Sequence, residues 1–190
     1  MIQKTPPSDF NSKLKTIWEK LGLIDHLELT FDIEQIEFVK QLKAHVDESN
    51  LSLWSDMGDP FSRSKNEFKG IVDQNGFKIK RKKKFFDVNF NLATAEGRFH
   101  QERDQLRIDI ELNGVAKRLK IFFVFVVLFY AIFFVTIFGL GQSGEVPLFV
   151  LPFMLIHAAF MIGIPYFILR RSVKRMKYEL ERELFFIANK

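Results

Sequence analysis

The sequence contains no cysteine, so disulfides, thiolate metal sites and a cysteine nucleophile are all excluded. It also contains no glycine-rich phosphate loop, no dinucleotide-binding glycine pattern, no HExxH and no GxSxG, so none of the common short catalytic signatures is present. The first residues, Met1-Ile-Gln-Lys-Thr-Pro-Pro, hold no apolar core of the kind a cleavable signal peptide needs. The most telling scarcity is charge in one region. Between Leu119 and Leu169 only Lys120 and Glu145 are charged, whereas the preceding 118 residues carry 20 basic and 19 acidic side chains. From Arg170 onward there are seven basic and three acidic residues. The net charge of +5 therefore collects beside the apolar block and is not spread over a basic domain. That placement favours membrane lipids as partners and disfavours nucleic acid.

What the chain does contain in that block is two apolar runs, Ile121–Leu140 and Val146–Leu169. A hydrocarbon core of ~30 Å needs about 20 helical residues, so the sequence predicts two spans joined as a transmembrane helical hairpin. Gly139, Gly141, Gln142, Ser143, Gly144 and Glu145 would form the connecting turn, with Pro147 in the first turn of the second helix. Lys117, Arg118 and Lys120 precede the first run, and Arg170, Arg171, Lys174, Arg175 and Lys177 follow the second. The positive-inside rule then places both termini in the cytoplasm, with the protein in the inner or plasma membrane. His157 is the ionisable group deepest in the second run, and Tyr130 lies at matching depth in the first. The two form the expected intramembrane polar pair, with Thr136 a further polar candidate. Ala159 and Gly163 make a small-xxx-small pair that suits close helix approach, to the first span or to a second copy. Pro152 and Pro165 are expected to kink the second helix.

Residues 1–118 read as a cytoplasmic α+β domain. Leu14, Ile17, Trp18 and Leu21 recur at helical spacing and end at Gly22. His26–Phe31 alternates as a strand, and Ile33 to Val46 has the period and charge placement of a helix. Asp47–Ser64 reads as a loop. An antiparallel meander of four to five strands follows, with Asn75-Gly76 a hairpin turn and Leu106, Ile108, Ile110 and Leu112 an amphipathic strand. Residues 170–190 read as a cytoplasmic amphipathic helix with Val173, Met176, Leu180, Leu184 and Ile187 on one side.

The sharpest local feature is the basic run Lys80, Arg81, Lys82, Lys83 and Lys84. With Arg170, Arg171, Lys174 and Arg175 it is the predicted lipid- or partner-binding surface, the competing reading being lysines that protect a strand edge. His100, Glu102 and Asp104 alternate as metal ligands would, but Arg103 stands among them, so no metal site, catalytic residue or cofactor is predicted. The expected function is a membrane-anchored cytoplasmic interaction module, binding a protein partner, a second copy of itself or an anionic lipid surface. The alternative is an oligomeric channel or transporter subunit that uses His157. An enzyme would require a concave pocket placing His26 or His100 beside carboxylates.

Overall fold

The computed structural model describes residues 9–52, 59, 62–83, 92–115, 117–139 and 149–190. The elements run α1 (Asp9–Lys20), β1 (Ile24–Phe31), α2 (Gln35–His45), β2 (Val46–Glu48), β3 (Phe68–Val72), β4 (Gly76–Arg81), β5 (Thr94–Glu102), β6 (Gln105–Asn113), α3 (Lys117–Phe134) and α4 (Val150–Ala188). A π-helical turn, Val135–Gly139, follows α3 directly. The chain divides into two compact units, Met1–Val115 with Leu169–Lys190, and Ala116–Ile168.

The first unit is an α+β domain built on one six-stranded sheet in the order β1-β6-β5-β4-β3-β2. All neighbours are antiparallel except β2 and β3, which are parallel. The period-two pattern explains the layering. On one face Leu29, Phe31, Phe77, Ile79, Phe99, Leu106, Ile108, Ile110 and Leu112 are buried, and Phe38, Val39 and Leu42 of α2 pack against them. Val173, Met176, Leu180, Leu184 and Ile187 of α4 complete the same core. Spacings of three and four residues keep those five on one stripe of the helix.

Local chemistry sets the element ends. Gly22 takes φ +69°, Leu23 N donates to Trp18 O and Gly22 N to Glu19 O, which closes α1 with a left-handed cap. α2 has no side-chain cap of its own; Gln101 from β5 supplies it, accepting Gln35 N–H at 2.8 Å. β5 and β6 turn tightly at Arg103, whose φ is +55°.

Two expectations are corrected here. The sheet is larger than a four- to five-strand antiparallel meander: β1 joins its edge beside β6, and β2 adds a parallel strand where a loop was expected. The second correction concerns the two-helix transmembrane hairpin. Among the described residues one helix, Val150–Ala188, is long and apolar enough to cross a membrane by length and composition. Among the described residues the first apolar run forms a shorter apolar helix, Ile121–Ile137, whose last turn is π-helical from Val135. There Thr136 Oγ1 donates back to Ile132 O at 2.8 Å, a local bond that competes with regular helix. The expected connecting turn beyond Gly139 lies outside the described residues.

The expected kinks divide in the same way. Pro152 sits in the first turn of α4, where its missing N–H costs nothing, and Pro165 is accommodated inside the continuous helix. Within the second unit, the apolar side chains of Val150–Ile168 are largely exposed, and none of the apolar window is buried.

Candidate functional site

Within the basic run, Arg81 and Lys82 belong to the interior of the first unit and Lys83 is half-buried. Strand parity continues Phe77 and Ile79 into Arg81, which therefore lands on the covered face, 8 % exposed. Its Nη1 is 2.6 Å from Glu179 Oε1 of α4 and its Nη2 is 3.3 Å from Glu67 Oε2. Lys82 is 6 % exposed; its Nζ donates to Asp47 Oδ2 at 2.6 Å, Ser62 Oγ at 3.2 Å and Ser64 O at 3.2 Å. Lys83 donates its backbone N–H to Asp59 Oδ2 at 3.0 Å, and Asp59 Oδ1 pairs with buried Lys69 at 2.7 Å. Lys80 is half-buried on β4, and Lys84 lies outside the described residues. Burying these cations is tolerable only because a carboxylate meets them. Asp47, Asp59, Glu67 and Glu179, none of them singled out by sequence, are those partners. Strand parity was the available signal for Arg81; nothing in the sequence pointed to its distant partner Glu179.

The electrostatics of Asp47 follow from this cluster. Burial pushes its carboxyl upward, but hydrogen bonds from Lys82, Ser64 and Asn66 outweigh it and hold the carboxyl below its ordinary range.

The basic residues of α4 are placed differently. Arg170, Arg171 and Lys174 are exposed, directly after the apolar half of the helix. Arg170 packs its side chain over Gly22, while Arg175 turns to Glu179 Oε1 at 2.7 Å. Lys177 bonds Asp25 Oδ2 and His26 O, both at 3.0 Å.

The uncovered face of the sheet is a grid of charge around a broad open depression of about 920 Å³ lined by His26, Glu28, Glu96, Arg98, His100, Arg107, Asp109 and Glu111. Both histidines thus stand beside carboxylates: His26 Nε2 is 3.2 Å from Glu19 and His100 Nε2 is 3.4 Å from Asp109. Arg107 bonds Asp109 at 3.1 Å and Glu28 at 3.0 Å, which raises its guanidinium further above its ordinary value. Lys78 pairs with Glu96 and Lys15 with Glu111. The face is therefore largely self-neutralised and wide open. It lacks the enclosure that strengthens electrostatics in a catalytic site. No group of three metal-ligating side chains occurs among the described residues, and Asp104 falls in the turn beyond β5 rather than beside His100.

In the second unit, Tyr130 Oη lies 2.5 Å from His157 Nδ1, and Phe153 stacks on the imidazole with ring centroids 6.3 Å apart. A Cβ built on Gly163 would meet nothing within 4 Å, so the small-residue side of α4 faces open space at that position. No family model matches the chain, and neither the curated proteins nor the solved structures contain a significant match to it.

Proposed function

We propose that this chain is a membrane-anchored interaction module: the apolar unit holds it in a bilayer, and the α+β unit presents surfaces to a lipid headgroup layer and to a protein partner. One observation carries the reading. Along α4 the apolar, exposed stretch Val150–Ile168 is followed at once by exposed Arg170, Arg171 and Lys174, and then by the stripe from Val173 to Ile187 that is locked into the core of the α+β unit. Exposed apolar surface on this scale demands a non-aqueous environment or a partner. Basic side chains at the end of such a stretch suit anionic headgroups, each contributing about 1 kcal/mol near the surface. In this reading the α+β unit, residues 1–115 with 169–190, stays whole on one side of the bilayer. The positive flanks make that side the cytoplasm.

The absence of native cysteine makes the test direct. Full-length Glu37→Cys and Arg182→Cys chains, each carrying a single thiol, are expressed in cells and exposed to a membrane-impermeant maleimide. Both thiols should react after the membrane is permeabilised and neither before. The chain should also stay with the membrane fraction through alkaline carbonate. Release by carbonate, or labelling of either position in intact cells, rules the reading out.

A further inference from the structure

β2 covers only part of the strand beside it. Val46, Asp47 and Glu48 pair with Phe68, Lys69 and Gly70, and Ser49 N donates to Gly70 O. β3 runs on through Ile71 and Val72, while the chain leaving β2 reaches a positive φ of 52° at Leu51. Backbone groups alternate along a strand, so Val72 turns its N–H and C=O toward the edge that Gly70 uses. Among the described residues no strand meets that edge.

The open step adjoins α2. One depression of about 200 Å³ holds Lys43, Val46, Glu48, Gly70, Ile71 and Val72; another, of about 280 Å³, holds Gln35, Ile36, Val39, Lys40, Lys43 and Gln74. Lys43 lines both, so they make one shallow groove between the helix and the strand edge. Ile36 in it is 81 % exposed. Lys40 and Lys43 are exposed and neither pairs with a carboxylate among the described residues, whereas Lys15, Lys69, Lys78, Lys82 and Lys177 of the same unit each do.

We propose that this groove docks a short, extended, acidic segment of a partner protein. Its aliphatic side chains rest on Ile36 and Val39, its backbone extends the sheet along Val72, and its carboxylates sit between Lys40 and Lys43. Glu48 at the far end sets the direction, keeping the acidic part of the segment at the helix. A lipid tail would fill the apolar lining but leave the strand edge unbonded, which is why the occupant is a peptide. This inference stands whether or not the apolar unit lies in a bilayer.

The full-length chain in mild detergent is used to pan a displayed library of random dodecapeptides, and enriched sequences are synthesised for fluorescence anisotropy. They should alternate aliphatic residues with Asp or Glu. Lys40→Glu/Lys43→Glu and, separately, Ile36→Asp should each weaken binding on the order of tenfold. A peptide with Lys in place of its acids should bind the doubly reversed chain, and Lys65→Glu should change nothing. Because the substituted positions are exposed, thermal unfolding should be unaltered. Enriched peptides without acidic residues, equal binding to the reversed chain, or an effect of the reversal seen only with phosphatidylglycerol vesicles would each overturn the proposal.

Discussion

Arg81 of β4 and Glu179 of α4 meet at 2.6 Å across 98 positions of sequence, each side chain about one tenth exposed. This contact ties the last helix to the middle of the sheet. It is imperfectly satisfied: Arg81 Nε and Glu179 Oε2 are buried without a hydrogen-bond partner among the described residues. Breaking such a pair from one side strands a charge, so Glu179→Leu should lower the unfolding free energy by roughly 3 kcal/mol. Replacing both, as Arg81→Met/Glu179→Leu, should recover most of that loss. Urea unfolding of the full chain in detergent measures both. A double variant no better than the single one would show that the charges, and not the packing around them, hold the helix.

Gly97 and Phe77 face each other across β5 and β4. A Cβ on Gly97 would lie 2.4 Å from the Phe77 ring, so the glycine is the space into which the ring fits. Gly97→Ala should cost about 1–3 kcal/mol through overpacking. Adding Phe77→Leu, itself destabilising, should then make the pair more stable than the sum of the two single losses. Strict additivity in melting experiments would mean that the ring does not occupy this position.

The legible parts of the fold are those in which one short window holds the whole signal. Leu106 to Leu112 alternates cleanly and is β6; the stripe from Val173 to Ile187 showed an apolar helix face, though not what that face packs against. β2 was invisible because three residues directly after a helix carry no period, and its parallel partner begins 20 positions later. The place of β1 beside β6 was likewise hidden, because alternation shows a strand but not its neighbour. The ion-pair partners of the basic run were hidden for an electrostatic reason. Cations in a row look solvated until their counter-charges are known, and those of Lys82 and Arg81, Asp47 and Glu179, are supplied by a strand and a helix far apart in the chain. Hydropathy gave no sign that the end of the first apolar run is π-helical, where Thr136 bonds back to Ile132 O.

Asp47 gives the α+β unit an acid-sensitive contact. Its carboxyl is held below the ordinary value of 3.8, so the folded state favours the ionised form. The stability this supplies is present above that value and is lost as pH falls through the lower, folded one. Stability should therefore decline on acidification below about pH 4, and Asp47→Asn should flatten that part of the profile while lowering stability at pH 7. Urea midpoints collected from pH 7 to pH 2 check this; identical slopes for the two chains would remove Asp47 from the account.

The Tyr130–His157 bond joins α3 to α4 within the apolar unit. With the ring proton on Nε2, the tyrosine hydroxyl donates to Nδ1, and one bond then satisfies both groups on that side. Removing only the hydroxyl, as Tyr130→Phe, keeps the ring volume but leaves Nδ1 without its donor. Measured costs for such bonds in membrane proteins average about 0.6 kcal/mol and reach about 1.7. A loss in that range is expected for thermal unfolding in detergent. Tyr130→Phe/His157→Phe removes both partners and should come close to the parent, because no polar atom is then left unpaired. If the single substitution costs nothing, the bond is not closed in the folded chain. If the double variant is worse than the single, the imidazole does more than answer Tyr130, and its stacking on Phe153 or its Nε2 becomes the group to pursue.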